Sequence, residues 1–189
     1  TIIDKEAFQY AKSLETVTFE AGSQLDSIGQ AAFQYAESLT EITIPASVKS
    51  IETIAFNVAT NLKTVTFEPG SQLKSIKSGA FNNATSLTSI IIPADVTEIG
   101  GNSFNKTSLT SINIPAGGTA INFHTFNNAT NLETVIFEAD SQLEIIDQYA
   151  FRNATALISI IIPASVKTIG PYAFSESGLT SINIPEGVT

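Results

Sequence analysis

The sequence predicts a parallel-strand solenoid, a rod of eight stacked repeats. Three observations lead there. A leucine recurs at Leu14, Leu39, Leu62, Leu87, Leu109, Leu132, Leu157 and Leu179, in steps of 22–25 residues, and self-similarity at such a period marks a repeat architecture. After each leucine the apolar residues alternate with polar ones, as in Val17-Thr18-Phe19 and Ile42-Thr43-Ile44, which is the period of a strand with one buried face. A phenylalanine precedes each leucine by five or six residues, from Phe8 to Phe174. Stacking the units turns these positions into ladders that no single unit could bury alone.

Each unit opens on an isoleucine: Ile3, Ile28, Ile51, Ile76, Ile99, Ile121, Ile146 and Ile169. The residues that end there, such as Val48 to Ile51, Val96 to Ile99 and Val166 to Ile169, predict a second, shorter extended piece. In the longer units it lies at 25–28, 73–76 and 143–146, after a two-residue insertion such as Gly22-Ser23 or Gly70-Ser71. Gly29, Gly100 and Gly170 follow the isoleucine and read as turn residues. The Ala-Phe segment comes next, as a turn or a single helical turn too short to stand alone. The strand after the leucine ends in Glu, or in a Pro that cannot donate to a ladder. Paired strands at about 4.8 Å spacing give a rod of roughly 40 Å, with the Phe8-to-Phe174 column as its spine.

Composition narrows the function classes. The 189 residues carry a formal net charge of −9, which repels phosphate and makes nucleic acid or an anionic membrane surface a poor partner. There is no cysteine, so no disulfide is available and the redox compartment is not readable. No apolar run approaches the ~18 residues of a membrane span, so no membrane insertion is expected. No charged-then-apolar leader opens the chain. The chain begins and ends inside a repeat, so we expect a single solenoid over residues 1–189, a fragment of something longer with truncated repeats at both ends.

The residues also match a family pattern. Ala-Phe-x-x-x-x-x-Leu-x-x-Ile-x-Ile-Pro-x-x-Val-x-x-Ile-Gly resembles the BspA-like leucine-rich repeat of surface proteins from bacteria and some protozoan parasites, and the resemblance covers all eight units. Many members have cysteine third after the phenylalanine; here the column is Ala11, Ala36, Ala59, Ala84, Ala129 and Ala154, one small residue for another. The resemblance implies a right-handed leucine-rich-repeat solenoid, secreted or on the cell surface, used for adhesion or recognition. It carries no catalytic motif.

Candidates for chemistry are few. His124 is the single histidine, among Asn and Thr, and without cysteine it would need carboxylates to hold zinc. It reads as a solvated turn residue. Glu20, Glu68, Glu138 and Asp140 follow the strands of non-consecutive units, so they do not converge as calcium requires. No phosphate loop, serine elbow or HExxH occurs. No enzyme and no cofactor are expected. Asn83, Asn105, Asn128 and Asn153 each open an Asn-x-Thr glycosylation sequon, and repetition of one turn accounts for all four.

The informative surface is the outward face of the strands. Its early rungs are Thr16 and Thr18, Glu41 and Thr43, Thr64 and Thr66. Its later rungs carry Ile91, Asn113, Ile136 and Ile161, with Ile158 beside them. Grouped exposed apolar residues on a sheet are what a contact surface presents. The leading expectation is therefore an extracellular module that binds a protein or glycan ligand through Ile91, Asn113, Ile136, Ile158 and Ile161. The alternative is a structural spacer displaying other domains. Ice binding through Thr-x-Thr rows is disfavoured, because Glu41 and the later Ile and Asn interrupt them. A monomer is expected, with end-to-end contacts through the strand edges of incomplete terminal repeats.

Overall fold

The computed structural model describes residues 1–189 as one stack of parallel coils. Its strands are β1 (Ile2–Ile3), β2 (Ser27–Ile28), β3 (Glu41–Ile44), β4 (Ser50–Ile51), β5 (Thr64–Phe67), β6 (Ser75–Ile76), β7 (Ser89–Ile90), β8 (Glu98–Ile99), β9 (Ser111–Ile114), β10 (Ala120–Ile121), β11 (Thr134–Phe137), β12 (Ile145–Ile146) and β13 (Thr168–Ile169). The strands that follow the leucines form the sheets β3-β5-β7 and β9-β11. The two-residue strands form β1-β2-β4-β6-β8 and β10-β12-β13. Every pairing is parallel and joins equivalent positions, such as Ile42 with Val65 and Ile28 with Ile51. The period read from the sequence is thus the register of the ladders.

The second extended pieces are shorter than expected. Only their last two residues pair, because the first is held in a turn: Val48 N–H donates to Pro45 C=O at 3.1 Å, and Val96 and Val166 repeat this with Pro93 and Pro163. The main strands also differ from unit to unit. Four-residue strands form in the second, third, fifth and sixth units and a two-residue strand in the fourth. The seventh and eighth units are joined on this face by an isolated bridge, Ile161 to Asn183.

The Ala-Phe segment is a run of turns, without a helical turn. Ala32 N–H bonds to Gly29 C=O, Gln34 N–H to Ala31 C=O and Ala36 N–H to Phe33 C=O, while Ala31, Phe33 and Tyr35 donate to the next coil, at Thr53, Ala55 and Asn57. Backbone donors therefore alternate between the local turn and the neighbouring unit. The alternation needs a left-handed residue two places before and two places after each phenylalanine: Ala31 (φ 55°) and Tyr35 (φ 61°) here. A positive φ at the third residue of a turn is the type II signature, and it rules out a helix.

The phenylalanine spine forms as expected. Neighbouring rings from Phe8 to Phe174 stack with centroids 5.2–5.6 Å apart, and the six inner ones are fully buried. They belong to one continuous core of 44 residues. Gly29, Gly100 and Gly170 sit in turns but do not adopt positive φ. Their role is close approach: a Cβ on Gly100 would lie 2.4 Å from Ser78 N of the preceding coil.

Candidate functional site

The strand face is built by the alternation that builds the core. In β9, Ile112 and Ile114 are buried while Ser111 and Asn113 are exposed; in β11, Val135 is buried and Ile136 is exposed. Ile91 and Ile161 are the most open of the apolar residues, at 85% and 88%, and Ile158 and Ile136 stand at 61% and 48%. The five face residues expected from the sequence all point outward.

They do not form one patch. Asn113 pairs directly with Ile136 in the β9–β11 ladder, which puts the polar Asn113 between Ile136 and the side of the stack that carries Ile91. Ile158 aligns with Glu133, one residue before β11. Two separate grooves result. The first has a volume of about 850 Å³ and lies between β5 and the fourth unit, with Thr66, Phe67, Glu68, Ile91, Pro93 and Asp95 among its lining residues. The second is about 450 Å³ and lies between β11 and the seventh unit, walled by Ile136, Phe137, Glu138, Ile161 and Pro163. A smaller third, about 220 Å³, is lined by threonines and Glu41 beside the first unit.

The two larger grooves are the same structure built twice. Residue n of the first corresponds to residue n + 70 of the second: Phe67 to Phe137, Glu68 to Glu138, Ile91 to Ile161 and Pro93 to Pro163. Reading one unit at a time misses this. The signal lay in the step lengths, where 25, 22 and 23 residues from Leu62 are followed by 25 and 22 from Leu132. Each groove opens just after a 25-residue step begins.

Electrostatics on this face are acidic. At the first groove the Asp95 carboxylate accepts a hydrogen bond from Lys74 Nζ at 2.7 Å, which holds its pKa below the usual carboxylate value. Glu68 accepts the Ala46 N–H at 3.0 Å. Glu138 and Asp140 at the second groove make no ion pair. No three His, Cys, Asp or Glu side chains come together as metal ligands would.

The remaining candidates have structural explanations. His124 is not a freely solvated turn residue. It is half-buried in a left-handed turn position (φ 56°), edge-on to Phe123 and Tyr149 at 6.0 and 4.8 Å. Asn83, Asn128 and Asn153 occupy the left-handed position after phenylalanine, where asparagine is favoured. Asn105 is buried in a side-chain amide ladder, bonded to Asn82 and Asn127 at 2.8 and 2.9 Å.

The BspA type leucine rich repeat model matches this chain in six copies, over residues 1–133 and 119–189. The chain belongs to the BspA-type leucine-rich repeat family. Solved structures agree. A leucine rich cell surface protein from Faecalibacterium prausnitzii is 36% identical, with TM-score 0.76, over 88% of this chain and 45% of its own. The pneumococcal vaccine antigen PcpA is 27% identical, with TM-score 0.72, over 99% of this chain and 49% of its own. A leucine-rich repeat protein from Bacteroides ovatus is 27% identical, with TM-score 0.68, over 100% and 52%. The BspA-type chain thus spans about half the length of the structures it matches. No curated protein matches it.

Proposed function

We propose that this BspA-type solenoid is a non-catalytic recognition module at the cell surface, which adheres to a protein or glycan through its strand face. The observation that carries the reading is the exposure of Ile91, Ile136, Ile158 and Ile161 on one face of an otherwise well-alternated sheet. Elsewhere the outward strand positions are Thr, Ser, Glu or Asn. Four large aliphatic side chains turned to water are costly unless a partner covers them. The family and the cell-surface description of one structural neighbour support the location.

A screen against extracellular matrix proteins and a glycan array tests it, with Ile136→Asp/Ile161→Asp as the control. Both side chains are exposed, so the double variant is expected to keep the parent melting temperature. Capture is expected to fall at least tenfold, as when a central contact residue is removed. Capture unchanged by the double variant would place the contact elsewhere. A blank screen with the parent chain would favour a spacer that displays other domains.

A further inference from the structure

The strand ladder is complete where β3 meets β5 and where β9 meets β11, over four residues each. It is incomplete on the far side of β5 and of β11. There β5 pairs β7 only at Thr64–Ser89 and Val65–Ile90, and β11 pairs with no strand. Neither Ile91 nor Ile161 donates its N–H to a backbone carbonyl across the gap. Each groove is therefore a parted ladder, with an open strand edge under an exposed isoleucine.

We propose that each groove takes one extended, lysine- or arginine-bearing peptide segment of a partner protein, so that the chain engages two such segments about 15 Å apart, three strand spacings. The inference rests on the strand-face reading above and names its ligand. Three observations favour a peptide of this charge. An extended backbone offers carbonyls at the spacing of an open strand edge, as in other strand-addition complexes, and Ile91 and Ile161 hold N–H groups ready for them. Neither groove has a lysine or arginine among its lining residues; Glu68 lines the first, beside an Asp95 already paired with Lys74, and Glu138 and Asp140, without ion pairs, line the second. Apolar walls, Phe67 with Pro93 and Phe137 with Pro163, suit a side chain placed between two cations.

The test is titration calorimetry of the whole chain with a synthetic Lys-Val-Thr repeat peptide, its Glu-Val-Thr counterpart and a neutral oligosaccharide. The expected result is two sites for the cationic peptide, with affinity that falls as salt is raised. Ile91→Asp is expected to remove one site, Ile161→Asp the other, and the double variant both. A stoichiometry other than two, equal binding of the acidic peptide, or sites that survive the double variant would overturn the proposal. Binding of the oligosaccharide alone, lost in Ile136→Asp/Ile161→Asp, would overturn it while leaving the strand face as the contact surface. Capture of matrix or glycan ligands unaffected by any face substitution would instead remove the underlying reading.

Discussion

Val58 carries a β-branched side chain at φ 62°, and Ile54 in the same unit stands at φ 52°. The left-handed region costs an L-residue about 1–2 kcal/mol, and β-branched residues are outliers there. The same positions elsewhere hold Gly79, Asn83, Asn128 and Asn153. The coil tolerates the strain because the alternating turn and inter-coil hydrogen bonds fix the backbone on both sides. Val58→Asn is therefore expected to stabilise the chain by about 1 kcal/mol, read as a higher urea midpoint with an unchanged slope. The sequence did not disclose this site, because Val and Ile carry no left-handed signal. Asparagine and glycine did carry one, and the sequons at Asn83, Asn128 and Asn153 were its visible trace.

Side-chain amides one residue after the first six phenylalanines of the spine bond from unit to unit, in one pair and one run of four. Gln9 donates to Gln34 at 2.6 Å, Asn82 to Asn57 at 3.1 Å, Asn105 to Asn82 at 2.8 Å and Asn127 to Asn105 at 2.9 Å. Such a chain is strong when complete and costly when broken inside a core. Asn105→Leu removes the donor to Asn82 and the acceptor for Asn127, so it should cost about 2–4 kcal/mol, two buried groups left unpaired. The ladder stops at Asn127, whose Oδ1 is buried without a partner, because the next position is Arg152, which reaches out to Glu176 at 3.1 Å. Arg152→Asn supplies the missing donor and gives up an exposed ion pair of small worth and a guanidinium contact over the Tyr149 ring at 5.7 Å, itself modest at an exposed site. We expect it to raise stability by about 1 kcal/mol, measured by thermal melting. This element was only half legible. Isoleucine, leucine and phenylalanine columns announce themselves by period, whereas Gln, Asn, Arg and Ser in one column look like ordinary turn residues until the units are stacked. The parted ladders were likewise invisible. Runs such as Ile90-Ile91-Ile92 and Ile160-Ile161-Ile162 read as good strand, and what opens them is a mismatch between neighbouring coils, a property of pairs of units.

Across the whole molecule the junctions between coils are unequal, and this fixes how it should unfold. In a repeat protein, stability is a sum of unit terms and nearest-neighbour terms, so the weakest junction sets the boundary of the cooperative units. The ladders are interrupted on both sides of the fifth unit: β7 does not pair β9, and β8 does not pair β10, while β6–β8 and β9–β11 remain. The ring stacks on either side of Phe104 are the widest of the spine, at 5.6 Å. Single bonds bridge the breaks, Thr110 N–H to Thr88 C=O at 3.3 Å and Asn122 Nδ2 to Ile99 C=O at 2.7 Å, and the turn side adds more: Asn102, Phe104 and Lys106 donate to Phe123, Thr125 and Asn127 carbonyls at 2.9–3.0 Å, and Asn127 donates to Asn105. Phe104 anchors that side. Replacing any fully buried spine phenylalanine with alanine should cost about 3–5 kcal/mol, so Phe56→Ala and Phe104→Ala are expected to lose similar stability. Their cooperativity should differ. Phe56 lies between coils joined by both ladders, and its loss should lower a single transition. Phe104→Ala weakens the unit that already lacks one ladder on each side, so unfolding should divide in two. Amide exchange would then protect the residues before Ile99 and those after Ser111 to different free energies. One common exchange free energy across both halves of Phe104→Ala would mean that the turn-side bonds and the remaining rings are enough to make the solenoid a single cooperative unit.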